Sequence, residues 1–223
     1  MKIKYTLLTF LVILLSCNES KKQTKEDKYL EESYKEQKSK GTLSEHSEDF
    51  DSLTNIYSNY KYLISIDAPD NWKIDYGTAK HSIFRGNDPE LALTFSIVVV
   101  EPKTDLKNSK NAWEFYLDNK TKQDAELKNI VKTQFNSEIQ NYKATKSYVR
   151  NIVSANHSYD FLVRSTDLEY INHVINHQIY RDDYIYTLTA QMPKVVYDEQ
   201  PEYFERLFNL VTFLPNSEKI NEK

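Results

Sequence analysis

Ile171-Asn172-His173-Val174-Ile175-Asn176-His177-Gln178-Ile179-Tyr180-Arg181 and Tyr184-Ile185-Tyr186-Thr187-Leu188-Thr189-Ala190-Gln191-Met192, joined by Asp182-Asp183, decide the fold. Both runs are dense in β-branched and aromatic residues, which suit a pleated, half-buried surface. In the second run Ile185, Thr187 and Thr189 alternate with Tyr184, Tyr186 and Leu188, the period of a strand. The two aspartates between the runs are turn residues, because short acids tolerate left-handed backbone and bond their own main chain. The whole stretch therefore reads as an antiparallel hairpin.

Further strands lie on the N-terminal side. Tyr60 to Ile66 alternates, with Tyr60, Tyr62, Ile64 and Ile66 on one face. Ala68-Pro69-Asp70-Asn71 breaks it, and a second strand runs from Trp72 to Tyr76. A short third, His81 to Phe84, is closed by the turn signal Arg85-Gly86-Asn87-Asp88-Pro89. Leu91 to Val100 is apolar on both sides at its centre, which predicts an interior strand. From Asn111 to about Lys128 the period changes: Ala112, Phe115, Tyr116 and Asn119 share one helical face beside Trp113, so a helix starts near Ser109. Ile130–Ile139 and Lys143–Val153 read as strands, the latter with Ala144 and Tyr148 on one side. After the hairpin, Gln200 to Phe213 reads as a helix with Pro201 in its first turn and a wide apolar stripe. Strands joined by hairpins and a few helices predict an α+β fold with a central antiparallel sheet flanked by helices.

The order resembles the PsbP-like family, shared by extrinsic photosystem proteins, a Ran-binding nuclear-import factor and small bacterial lipoproteins. The residues that carry the likeness are Ile64-Ser65-Ile66-Asp67-Ala68-Pro69-Asp70-Asn71-Trp72-Lys73-Ile74 and Tyr184-Ile185-Tyr186-Thr187-Leu188-Thr189. Pro193 and a closing segment ending in Val211-Thr212-Phe213 follow. The resemblance covers residues 59–215 and implies an αβα sandwich. It implies no activity, since that family binds partners or stabilises assemblies and shares no active site.

The first sixteen residues read as a processing signal: Lys2 and Lys4 give a positive start, and Leu7 to Leu15 is an apolar run broken only by Thr9. That run is well short of the roughly twenty residues a bilayer span requires. It ends in Leu14-Leu15-Ser16-Cys17, which resembles the lipobox of bacterial lipoproteins. The resemblance implies cleavage after Ser16 and a lipidated Cys17, palmitate included. Cys17 is the chain's one cysteine, so an exported protein would have no disulfide to form. Without Lys2 and Lys4 the formal charge moves from −4 to −6, which argues against nucleic acid as a partner. Residues 17–58 are polar and poor in core-forming side chains, the composition of a disordered tether of roughly 35 Å mean reach. Glu31–Lys35 and Glu36–Lys40 are spaced i,i+4, which would support a helix there only weakly. Asp51-Ser52-Leu53 resembles a short O-glycosylation signal of exported Bacteroidetes proteins. Residues 216–223 form a polar tail. Asn18 rather than Asp follows the cysteine, which points to the outer membrane, with its periplasmic or surface face left open.

Chemistry-bearing residues are few in pattern. Three glycines in the whole chain argue against a phosphate-cradling loop, and no cofactor is expected. His173 and His177 have HxxxH spacing, but on a strand four residues span about 13 Å, too far for one metal ion. His157 lies near Asp160 in sequence, with Ser154, Ser158 and Ser165 nearby, yet no Gly-x-Ser-x-Gly elbow is present. This segment reads as a polar connection between strands. Asp182-Asp183 reads as a turn and Glu199 with Glu202 as solvated helix-start acids. Trp72 and Trp113 read as core. The expected function is a membrane-tethered, non-enzymatic binding or assembly module with an envelope protein partner. A small-molecule or lipid carrier is the alternative, and a hydrolase with an unrecognised site a third.

Overall fold

A computed structural model describes residues 48–76, 81–101, 109–166 and 168–215. The expected signal peptide (1–16), Cys17, the tether as far as residue 47 and the tail over 216–223 lie outside the described residues. The chain divides into two compact units, residues 1–70 with 213–223 and residues 71–212, where the sequence predicts one domain over 59–215.

In the first unit β1 (Glu48–Asp51), β2 (Ile56–Asn59) and β3 (Ile64–Asp67) pair antiparallel, with Glu48 opposite Asn59 and Ile56 opposite Asp67. Their sheet has the order β1-β2-β3-β11, where β11 is Val211–Phe213. The stretch expected as tether up to Ser58 thus already contains two strands. Tyr57 makes this possible: it is fully buried, donates to Glu48 Oε2 at 2.9 Å and accepts from Asn59 Nδ2 at 3.0 Å. The strand predicted from Tyr60 begins only at Ile64. The Asn59 side chain accepts from the Tyr62 N–H, and Leu63 takes a left-handed φ of 50°. Tyr60 and Tyr62 thereby sit in a turn, and their alternation with Ile64 is coincidental.

The second unit is a seven-stranded sheet of β4 (Lys73–Tyr76), β5 (Ser82–Asp88), β6 (Leu93–Val100), β7 (Gln140–Val149), β8 (Ile152–Arg164), β9 (Glu169–Arg181) and β10 (Tyr184–Pro193). The order is β4-β5-β6-β10-β9-β8-β7, with every pair antiparallel. The predicted hairpin is β9–β10: Tyr184 pairs with Arg181, and Asp182 and Asp183 have φ of 50° and 66°. Two left-handed residues in a two-residue loop make the type I′ turn that matches strand twist. β6 is interior as expected, but its faces differ. Leu93, Phe95, Ile97 and Val99 are buried, whereas Thr94, Ser96, Val98 and Val100 are half-buried.

Helices cover both faces, an αβα arrangement. α1 (Ala112–Phe135) lays Tyr116, Leu127 and Val131 on Ala155, Tyr159, Phe161 and Val163 of β8. Asn111 caps it, its side chain accepting from the Glu114 N–H at 3.1 Å, and Asn136 ends it with φ of 47°. The predicted strand over Ile130–Ile139 is therefore mostly helix. Val131 continues the stripe of Tyr116, Gln123 and Leu127 at helical spacing and is buried like Tyr116, with Leu127 half-buried beside it. On the opposite face lie α2 (Lys194–Glu199), α3 (Pro201–Arg206) and a 3₁₀ turn (Leu207–Leu210), in place of the single helix predicted to Phe213. The polar connection predicted around Ser154–Ser165 is strand β8 almost throughout.

Gly86, in a turn by its sequence neighbours, lies inside β5 instead, opposite Ile74 and Phe95. The turn comes later: the Asp88 carboxylate accepts from the N–H groups of Glu90 and Leu91, and Ala92 has φ of 49°. Glycine at 86 makes room for Trp72, since a Cβ there would stand 2.2 Å from indole Cε3. The indole in turn packs 5.7 Å from Phe95. Gly86→Ala is expected to lower stability by about 1–3 kcal/mol, the usual cost of overpacking, read as a lower urea midpoint at unchanged slope.

Candidate functional site

The register of β8 against β9 sets Asp160 opposite His173 and Asn156 opposite His177. His173 Nδ1 lies 2.6 Å from Asp160 Oδ1, and the other carboxylate oxygen accepts from Asn141 Nδ2 at 2.7 Å. Farther along β8, Ser154 Oγ is 3.3 Å from His177 Nδ1. The C-terminal helical segment closes over both imidazoles. Tyr197 stacks on His173 and Phe208 on His177, each with ring centroids 3.8 Å apart. His173 and His177 are 7% and 2% exposed, so each polar pair is sealed between sheet and ring.

His157 points to the other face, beneath α1, and does not meet Asp160. Its Nδ1 lies 3.0 Å from Tyr142 Oη, which donates to Asp124 Oδ1 at 2.6 Å. Tyr116 Oη reaches Tyr142 Oη and Asp124 Oδ1 at 3.2 Å, and Lys120 Nζ donates to Tyr116 Oη at 2.9 Å and to Asp124 Oδ2 at 2.5 Å. Burial opposes the charge of Asp124, yet the hydrogen bonds from Lys120 and Tyr142 leave its carboxyl below the ordinary range. Burial, then the Asp124 hydrogen bond, pushes the Tyr142 phenol up. Burial pulls His157 down to about 4, and does the same to His177. Both imidazoles are therefore neutral near pH 7.

Three elements of a hydrolytic triad are thus present but divided. Ser154 has His177, whose Nε2 finds no partner among the described residues, so no acid orients that ring. Asp160 has His173, four residues along β9 and roughly 13 Å away. A nucleophile needs its base and the orienting acid in one line, and that line is broken. Among the described residues no group of three or more His, Cys, Asp or Glu side chains is placed to hold a metal ion. Glu202 pairs with Arg206 at the surface. Trp72 is buried, and Trp113 packs against Tyr116 with centroids 5.4 Å apart. Asp51, Ser52 and Leu53 lie at the exposed turn after β1, where the Asp51 carboxylate accepts from the Leu53 N–H and the Thr54 hydroxyl.

The tyrosine–aspartate–lysine network escaped the sequence reading. Tyr116, Lys120 and Asp124 have i,i+4 spacing on a predicted helix, a signal that marks its helical half. Tyr142 joins only through the register of β7, which no local pattern encodes.

The depressed histidines give stability a pH dependence of definite sign. The unfolded chain takes up protons near pH 6.5, while the folded imidazoles resist until about 4. Stability is full above pH 6.5 and falls as pH drops toward 4, by on the order of 3 kcal/mol per histidine at full effect. Urea unfolding between pH 7.5 and 4.5 should show this fall, and His157→Gln and His177→Gln should each flatten it. An unchanged slope in both variants refutes the assignment.

No family model matches the chain, and comparison with curated proteins finds no match. Among solved structures it is similar to PsbP of the cyanobacterium Synechocystis, at 15% identity and TM-score 0.45 over 78% of this chain and 96% of that one. It is also similar to a Bacteroides thetaiotaomicron protein, at 9% identity and TM-score 0.44 over 69% of this chain and 46% of that one. A third is LpqN of Mycobacterium tuberculosis, described as involved in cell envelope biogenesis, at 10% identity and TM-score 0.39 over 68% of this chain and 83% of that one. These likenesses concern the arrangement of the chain, and the α+β class itself rests on the sheets and helices described above.

Proposed function

We propose that this chain is a lipid-anchored binding or assembly module of a bacterial envelope, without a reaction of its own. The observation that carries the reading is the disposition of its reactive groups. Among the described residues, every imidazole paired with a carboxylate, phenol or hydroxyl is enclosed in the sheet's packing, at 8% exposure or less. A general base has to reach a substrate proton within about 3 Å, and these are covered by Tyr116, Tyr197 and Phe208. What meets solvent is recognition chemistry: backbone edges, lysines and aromatic rings such as Tyr148.

The lipobox-like Leu14-Leu15-Ser16-Cys17 supplies the address in this reading, with acyl chains on Cys17 and the polar residues after it as spacer. Two or more acyl chains anchor stably where one does so marginally. Asn18 favours the outer membrane.

Cys17→Ala should move the full-length protein from the membrane fraction to the soluble envelope fraction and abolish incorporation of a palmitate analogue. Continued labelling and sedimentation with membranes would refute the anchor. In-cell crosslinking of the anchored protein should yield one envelope protein in stoichiometric amount, unchanged by Ser154→Ala. Hydrolysis of any ester or peptide substrate that Ser154→Ala abolishes would overturn the non-catalytic reading.

A further inference from the structure

In the seven-stranded sheet β7 is an edge strand of ten residues, against four in the opposite edge strand β4. Its hairpin with β8 turns through Arg150-Asn151, both left-handed with φ of 48° and 67°. A two-residue loop makes Val149 and Ile152 a hydrogen-bonded pair, and bonding then alternates along the strands. Ser147, Thr145 and Lys143 therefore face β8. Ala144, Lys146 and Tyr148 turn both their N–H and their C=O away from the sheet, and among the described residues no backbone partner meets them. Six backbone groups on one line are a template for a further strand.

The charged side chains of β7 itself have one sign. From Ile139 to Tyr159 the sequence holds Lys143, Lys146 and Arg150 and no aspartate or glutamate, although the whole chain carries 33 acids. Lys143 and Lys146 are exposed. Tyr148 is 61% exposed, and Lys146 Nζ lies 5.9 Å from its ring centroid.

We propose that the outer edge of β7 is the docking strand for an extended acidic segment of a partner protein, which adds to the sheet as an eighth strand. The inference rests on the binding-module reading and names the partner's chemistry. Backbone pairing supplies the ladder. Lys143 and Lys146, on opposite faces of the strand, select acids on both sides of the incoming segment, because side chains alternate along it. The acidic edge strand β1 (Glu48-Asp49-Phe50-Asp51) of a second copy is the rival occupant. An anionic membrane surface is another.

The test uses the full anchored chain in neutral-lipid nanodiscs. The probes are a ten-residue peptide alternating valine with glutamate and aspartate, and its lysine counterpart. The acidic peptide should bind and protect the amides of Ala144, Lys146 and Tyr148 from hydrogen exchange; the lysine peptide should not. Lys143→Glu with Lys146→Glu should weaken binding about tenfold or more. Lys146→Pro removes an outward N–H, where an edge strand tolerates proline, together with one of the two lysine charges, and should abolish the protection. No binding up to about 1 mM, or binding that Lys146→Pro leaves intact, overturns the proposal. So does concentration-dependent self-association that Lys146→Pro abolishes, which assigns the edge to a second copy. Equally, binding to phosphatidylglycerol vesicles lost in the double charge reversal but kept in Lys146→Pro assigns it to lipid. If in-cell crosslinking still recovers an envelope partner in that case, the module reading stands and only the edge assignment falls.

Discussion

The second unit depends on the register between β8 and β9. A slip of one residue in a sheet turns every side chain of the moved strand to the other face, and here both faces are covered. Asp160 opposite His173 joins a buried carboxylate to Nδ1 of a buried imidazole. A slipped pairing would break this contact inside the packed sheet and leave the Asp160 carboxyl with Asn141 alone, a loss of roughly 1–3 kcal/mol. The same register sets Ala155, Tyr159 and Phe161 toward α1 and His173 and His177 toward Tyr197 and Phe208. Two helical layers therefore inherit their seats from one strand pairing.

That arrangement explains which parts of the fold can be read locally. The β9–β10 hairpin is legible because its turn is two adjacent aspartates that tolerate left-handed backbone, and because Ile185 to Thr189 alternates cleanly. β8 is not, although it is as long as β9. Ser154, Asn156, Ser158 and Asp160 form one of its faces, and a strand with a polar inner face looks like a connection until its neighbours are known. Gly86 misleads in the opposite direction: a glycine beside Asn87 and Asp88 has turn composition, yet what requires it is an indole fourteen residues earlier in the chain. The end of α1 reads as strand because Ile130 and Val131 are β-branched, while burial of Val131 on the helical stripe outweighs that preference.

The histidines show the same limit at the level of chemistry. Spacing alone establishes that His173 and His177 share a strand face and stand too far apart to chelate one ion. Their partners, Asp160 and Ser154, lie thirteen and twenty-three residues upstream, and only the ladder brings them into contact. Sequence proximity suggested His157 with Asp160, and three residues along a strand places those two on opposite faces. Polar groups that look catalytic in one dimension become fasteners between layers in three.

The seating of Trp72 over Gly86 has a practical consequence. The chain has two tryptophans, and they occupy opposite layers of the second unit: Trp72 packs with Phe95 on the side of the C-terminal helical segment, Trp113 with Tyr116 on α1 itself. Each indole is thus a built-in optical reporter of one layer. Emission from single-tryptophan forms would tell whether the two helical coverings detach from the sheet together or in sequence, with no added label.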